Sequence, residues 1–197
     1  MPRSFVFAMA VMMAALLMGS GPAYARPLDD GFVPARTVAT RFFTVSIAAG
    51  VDDASLIRLM DVGPGHKILA GQSLSGTTYM PDNLGDLLDA LFSWSSGVLD
   101  MQLYSYRGNI KIARDEEGLK TIYRKLYGTD AYSEKAFYIF DLNTVYIAAG
   151  DFTKEILGHE IGHAIISNFF VVQPPAKVQE VLAGYIEYQL RKTSPRK

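Results

Sequence analysis

The chain has 197 residues, of which 20% are charged, with a formal net charge of −1 and no cysteine. The lack of cysteine excludes disulfides, a lipid-modified N-terminal cysteine and a thiolate that would keep a metal site latent. The nearly balanced charge gives no indication of a nucleic-acid partner.

The first 25 residues have the pattern of a secretory signal peptide. Arg3 precedes an uncharged apolar run from Phe5 to Met18, a Gly/Pro break and the small-residue site Ala23-Tyr24-Ala25. The apolar run is shorter than the roughly 20 residues that span a bilayer, although the uncharged segment continues to Ala25 and leaves an uncleaved anchor as the alternative. We expect cleavage after Ala25 and no stable membrane insertion afterwards. Together with the lack of cysteine, this favours a protein exported to a bacterial periplasm or secreted.

The remaining residues, 26–197, are sufficient for a single domain with its own core. Strand and helix patterns alternate early and two helices end the chain, which predicts an α+β domain with a small twisted mixed sheet. The predicted elements of the first half are an extended leader (26–39), a strand (40–48), a helix capped by Asp52 or Asp53 and ending at Leu59, a long loop (63–85), a helix opened by Asp82 or Asn83, and strands at 101–106 and 109–113 joined at Arg107-Gly108.

The second half begins with an amphipathic helix over 116–127, which Gly128 closes. Two β-rich runs, 136–140 and 144–149, predict a hairpin around Asp141-Leu142-Asn143. A helix follows. Residues 171–176 contain two prolines and are predicted to be non-helical, and the last helix covers 177–190.

Residues 156–165 read Ile-Leu-Gly-His-Glu-Ile-Gly-His-Ala-Ile, an H-E-x-x-H sequence in an apolar helical pattern. On a helix, His159 and His163 lie one turn apart on one face, so both imidazoles can bind one metal ion. Glu160 lies roughly 100° around the helix from His159, which suits a carboxylate that contacts a metal-bound water. The opposite side of this helix is predicted to face the core through Leu157, Ile161, Ala164 and Ile165.

A catalytic zinc ion usually has three protein ligands and a water, so the two histidines require a further ligand. The third histidine, His66, is far upstream in the glycine-rich loop, where an exposed loop position is the simpler interpretation. The third ligand is therefore expected to be a carboxylate. Glu180 and Glu187 are seven residues apart and therefore on one face of the last predicted helix, and only one of them can bind the metal.

The segment 156–190 resembles the gluzincin zinc peptidases. The resemblance rests on the H-E-x-x-H sequence and on the E-x-x-A-x-Y sequence from Glu180 to Tyr185. It implies a minimal zincin-like metallopeptidase domain over 26–197, with zinc held by His159, His163 and Glu180. It further implies that Glu160 is the general base of a hydrolase acting on peptides or proteins, and that extended substrate pairs with the last hairpin strand. The sequence Ala148-Ala149-Gly150 lacks an exopeptidase motif, which favours an endopeptidase.

The sequence differs from the pattern of this family at two points. Thermolysin-like members have an aspartate where this chain has Gly184, so Glu187 or Glu155 is expected to support the first histidine instead. A downstream oxyanion-stabilising Tyr or His is not found before Lys197. The stabiliser is therefore expected upstream or is missing. The upstream candidates are Tyr79 and Tyr132, whereas Tyr185 is predicted to be a core aromatic.

Two alternatives remain open from the sequence. The first is a non-catalytic binding module that zinc stabilises, with a degenerate peptidase site. A fourth protein ligand would favour it, because structural zinc sites are closed. The second keeps the zinc chemistry but changes the substrate, for example to peptidoglycan stem peptides, with the long loop acting as a lid or as a plain surface connection.

Overall fold

The computed structural model describes residues 29–62, 83–129 and 135–193. These residues form a mixed α+β architecture with a five-stranded mixed sheet and five α-helices. The predicted signal peptide, most of the long loop with His66 and Tyr79, and Tyr132 lie outside the described residues. None of the described helices is both long and apolar enough to cross a bilayer.

The described sheet has five strands: β1 (Arg36–Ala39), β2 (Phe43–Ile47), β3 (Gly108–Ala113), β4 (Ala136–Ile139) and β5 (Thr144–Ala148). Their order is β1-β2-β3-β5-β4. The three central strands, β2, β3 and β5, are parallel to one another, while β1 and β4 pair antiparallel at the two edges. The predicted hairpin of β4 and β5 is therefore confirmed, and β4 is an edge strand of the described sheet.

The helices begin where the sequence offers capping side chains. Asp52, Asn83, Asp115 and Thr153 each accept a hydrogen bond from a backbone N–H in the first turn of the helix that follows. Gly128 ends its helix in the left-handed conformation, as predicted. The helices are α1 (Asp53–Leu59), α2 (Leu84–Leu99), α3 (Glu116–Tyr127), α4 (Lys154–Phe169) and α5 (Ala176–Thr193).

The sheet separates a large core from a small one, because successive side chains of a strand point to opposite faces. Ile110, Val145 and Ile147 face the large core, which also includes buried residues of α2, α4 and α5. Tyr146 and Ala148 face the small core, which α3 covers. The H-E-x-x-H helix α4 therefore lies on the large-core side.

Two glycines allow α5 to pack closely on α4. A Cβ atom at Gly162 would lie 3.2 Å from the Ala183 Cα and 2.8 Å from the Ile186 Cδ1. A Cβ atom at Gly158 would overlap the side chain of Leu190. Larger residues would push the helices apart, so these glycines hold the two faces of α4 and α5 that carry histidines and glutamates near each other.

The strand predicted over 101–106 is wrong. Asp100, which follows the last residue of α2, adopts the left-handed conformation (φ 54°), and the N–H of Met101 donates to the Ser96 carbonyl, so the chain forms a loop. Tyr106 stacks on Phe92 with 4.8 Å between ring centroids. The apolar residues that gave a strand-like pattern therefore anchor a loop to the core.

The predicted extended leader contains a strand that the sequence analysis missed. Arg36–Ala39 pairs with β2 over four residues, and the side chain of Arg36 forms an ion pair with Asp53 at 2.5 Å. At other boundaries the differences are small. Gly85, predicted to end the loop, lies in the first turn of α2, and Ala176 begins α5 directly after the two prolines.

Candidate metal centre

The helix α4 holds its two histidines on a firmly packed base. Leu157, Ile161, Ala164 and Ile165 are fully buried, so the predicted core side of this helix is confirmed. A buried face fixes the rotation of the helix about its axis, and the histidines therefore point towards α5.

The structure brings His159, His163 and Glu180 together. One ligand atom from each lies within 4.8 Å of the others. The two histidine Nε2 atoms are 3.1 Å apart. The Glu180 carboxylate oxygens lie 3.5 Å from Nε2 of His159 and 3.4 Å from Nε2 of His163. Two imidazole nitrogens and a carboxylate oxygen that converge in this way match the ligand preferences of Zn²⁺.

Glu187 lies on the other side of the His159 ring. Its Oε2 atom is 3.4 Å from Nδ1 of His159, and its other carboxylate oxygen accepts from Arg191. Nδ1 is buried and has no hydrogen bond within the described part of the chain. The 3.4 Å contact is therefore an ion-pair distance without hydrogen-bond alignment. Ligand histidines usually donate their second N–H to a carboxylate of this kind.

Glu155, the other candidate for supporting His159, has a different contact. It lies 3.4 Å from the Nζ atom of Lys154, which is almost completely buried and also donates to the Asp61 carbonyl. Of the two residues that the sequence offered, the geometry places Glu187 next to His159.

The environment of His163 favours its neutral form. Burial lowers the pKa of His163 below its usual value of 6.5, and the neighbouring His159 lowers it further. The Glu180 carboxylate and a hydrogen bond with Gln179 act in the opposite direction but do not outweigh burial. A neutral imidazole is the form that binds a metal.

Glu160 opens onto the same cavity as the three potential ligands. Its side chain is 8% exposed. The cavity has a volume of about 560 Å³, which accommodates several residues of an extended peptide. One wall is the edge strand β4 and the other is formed by α4 and α5. The expectation that extended substrate pairs with the last hairpin strand is wrong, because β5 is paired with β3 and β4 on its two sides and does not line the cavity. The lining residues are Ala136, Phe137, Tyr138, Phe140, His159, Glu160, His163, Ser167, Gln173, Ala176, Gln179 and Glu180.

Tyr138 and Gln179 are lining residues that the sequence analysis did not single out. The Tyr138 hydroxyl donates to Asn143 at 3.0 Å and accepts from Asn168 at 3.1 Å. Burial raises the pKa of Tyr138 to about 12, so it stays protonated at neutral pH. The alternation of β4 could have indicated Tyr138, because Ala136 and Tyr138 lie on the same face of that strand.

Tyr185 is not the core aromatic that the sequence predicted. It is 46% exposed, whereas Ala183 and Ile186 on either side of it are fully buried. The helix α5 contacts the large core along one narrow side only, and Tyr185 points away from that side. Tyr185 is also not among the residues that line the cavity.

No protein-family model matches the sequence, and no curated protein or solved structure shows significant similarity to it.

Proposed function

We propose that this protein is a zinc-dependent peptidase of the gluzincin type. The observation that carries the proposal is the convergence of His159, His163 and Glu180 within 4.8 Å, with Glu160 on the same cavity. Within the described residues this group offers three ligands rather than four and adjoins open space. Three ligands beside a cavity are typical of catalytic zinc sites, whereas structural sites are closed.

A zinc ion bound there would act as a Lewis acid, polarising the scissile carbonyl and lowering the pKa of a water molecule towards about 7. Glu160 takes a proton from the attacking water and passes it to the leaving nitrogen. His163, already favoured in its neutral form, needs no deprotonation to serve as a ligand. Glu187, 3.4 Å from Nδ1 of His159, is the carboxylate nearest to the second ring nitrogen and would orient the ring by accepting its N–H in the metal-bound form.

An extended peptide fits the other wall of the cavity. The edge strand β4 pairs with β5 on one side only among the described strands, and three of its residues line the cavity. A substrate can therefore add to β4 by backbone hydrogen bonds. The minimal zincin-like fold, endopeptidase activity and export through cleavage after Ala25 belong to the same proposal.

Zinc content tests the proposal most directly. Purified wild type, Glu180→Ala and the control Glu116→Ala are loaded with zinc, desalted and measured by atomic absorption. We expect about one zinc ion per chain in wild type and in Glu116→Ala, because a catalytic site holds a single ion and Glu116 is exposed on α3. Glu180→Ala should lose most of its zinc.

The outcome separates two kinds of failure. Wild type that remains free of zinc after reconstitution would contradict the proposed function. Full zinc retention in Glu180→Ala would contradict the assignment of this ligand while leaving the histidines as the metal site.

A further inference from the structure

The turn between α4 and α5 exposes four consecutive apolar side chains. Phe169 and Phe170 are 43% and 37% exposed, Val172 is 82% exposed, and Val171 is as exposed as in an extended chain. Exposed apolar residues are common one at a time, but four in succession on one turn are not explained by packing.

The same apolar surface continues along the outer side of α5. Val178, Val181, Tyr185 and Tyr188 are 45% to 66% exposed. At 100° per residue they lie within an arc of about 80°, and this arc is turned away from the core contacts of Ala183 and Ile186. We call these four residues and the turn Phe169–Val172 the α5 surface.

The charges around the α5 surface are basic. The described residues 161–193 contain three Lys or Arg and two Glu, a formal charge of +1. Lys177 lies at the start of α5, and the ammonium of Lys192 lies 4.4 Å from the ring centroid of Tyr188 at its other end. Both glutamates face His159 and lie about 120° to 140° around α5 from the middle of the apolar arc, so the charges beside the arc itself are those of lysines.

We propose that the α5 surface binds an anionic lipid bilayer, with the turn Phe169–Val172 inserted among the headgroups and α5 lying along the membrane. Exposed aromatic and aliphatic side chains flanked by lysine and arginine are the features of helices that lie in a membrane interface. A second copy of the chain is disfavoured as the occupant, because two surfaces of the same positive charge repel each other. An anionic bilayer attracts this charge.

The inference extends beyond the proposed function and does not depend on a metal. If the proposed function also holds, the two combine, because Gln173 and Ala176 follow the turn directly and line the cavity. The cavity would then open next to the bilayer, and the substrates would be membrane-bound or juxtamembrane peptides.

The absence of cysteine allows a probe at a single position of the full chain. Val171→Cys carries the environment-sensitive fluorophore NBD, and Val33→Cys, labelled in the same way, is the matched control. Val33 is 82% exposed and precedes β1, far along the chain from α5. Both proteins are mixed with vesicles of phosphatidylglycerol and phosphatidylcholine in equal parts, and with vesicles of phosphatidylcholine alone.

We expect the probe at position 171 to shift to the blue and brighten severalfold with the anionic vesicles, and the probe at position 33 to remain as in water. The change should diminish at high salt, because salt screens the attraction of lysine and arginine to the lipid. Since the readout is local, an apolar N-terminal segment that binds vesicles by itself would not produce this result.

Four results would overturn the proposal. A probe at position 171 that remains in water with anionic vesicles excludes insertion of the turn. A response that grows with protein concentration without lipid identifies a second copy as the occupant. An equal response at positions 33 and 171 indicates unspecific adsorption. A response of equal size with phosphatidylcholine alone would overturn the role of anionic lipid.

A pair of unlabelled variants gives an independent measurement. Val171→Asp combined with Val172→Asp should weaken partitioning of the protein into anionic vesicles by roughly tenfold or more, because two apolar side chains no longer enter the interface. Val33→Asp should leave partitioning unchanged. Both substitutions are at exposed positions, and circular dichroism of the variants verifies their folding.

Discussion

Two polar clusters lie on opposite faces of the same sheet and differ in how their charges are balanced. In the Asp30 cluster, on the small-core side, the nearly buried carboxylate of Asp30 accepts from Lys111, from the Tyr146 hydroxyl at 2.6 Å and from the Phe32 N–H at 3.0 Å. Every contact pairs a donor with an acceptor. Such a cluster is complete within the protein.

The histidine–glutamate cluster on the other face, formed by His159, His163, Glu180 and Glu187, is not balanced in this way. Its nearest atoms are two imidazole nitrogens 3.1 Å apart and carboxylate oxygens 3.4 to 3.5 Å from them. Nδ1 of His159 has no hydrogen bond among the described residues. We therefore interpret the first cluster as one that stabilises the fold, whereas the second is the one that our proposal assigns to a metal cation.

The largest effect should come from Glu160→Gln, which tests whether the second cluster is catalytic. The amide cannot accept the proton of the attacking water, so we expect hydrolysis of labelled casein to fall by about 10²- to 10⁴-fold. Zinc content should remain that of wild type, because Glu160 is not one of the proposed ligands. A fully active Glu160→Gln enzyme would refute the general-base assignment.

The next largest effect should be on folding. Asp30→Ala leaves Lys111 and Tyr146 without their acceptor, which should lower the free energy of unfolding by about 3 kcal/mol in urea titrations. The neighbouring Asp29→Ala is the matched control. Asp29 pairs with Lys125 on the surface, where solvent screens the ion pair, and its removal should change little. Equal destabilisation by the two variants would contradict our interpretation that the buried Asp30 cluster stabilises the fold.

A smaller effect is expected for Glu187→Ala. Loss of the carboxylate beside Nδ1 of His159 should weaken zinc binding by about 10- to 100-fold without removing a ligand. Competition with a fluorescent chelator measures the affinity. Glu155→Ala is the control because Glu155 contacts Lys154 rather than a histidine. Weaker zinc binding in Glu155→Ala but not in Glu187→Ala would reverse our assignment.

The smallest effect should be on the free energy of unfolding at acidic pH. Burial alone would raise the pKa of Asp30, but hydrogen bonds from Lys111, Tyr146 and Phe32 hold it below its usual value of 3.8. A lowered pKa in the folded state stabilises the protein above the unfolded value, and this contribution is lost as the pH falls through the folded value. The difference in unfolding free energy between wild type and Asp30→Ala should therefore be constant near neutral pH and shrink below about pH 4. A difference that instead shrinks between pH 8 and pH 6 would contradict this origin.

Elements that short local patterns encode could be predicted from the amino-acid sequence. Capping residues indicated the starts of α1 and α2, and the turn at 141–143 indicated the hairpin, because these signals act over a few neighbouring residues. The spacing of His159 and His163 likewise follows from helix geometry alone, since one turn of α-helix brings them to the same face.

Features that depend on contacts between residues distant in the chain could not be predicted in this way. The strand β1 pairs with the edge of β2, to which no local pattern points. The segment 101–106 forms a loop, and the ring of Tyr106 stacks on Phe92 of α2. Tyr185 is exposed because α5 contacts the core along one side. No local pattern carries this information.

The same limit applies to the two glutamates of α5. Their spacing put Glu180 and Glu187 on one face, and from the residues alone either could have been the ligand. Only the packing of α5 against Gly158 and Gly162 of α4 sets how far each carboxylate reaches. It brings Glu180 to the two Nε2 atoms and Glu187 to Nδ1 of His159. The distance between two helices results from contacts along their whole length, and a sequence motif does not contain it.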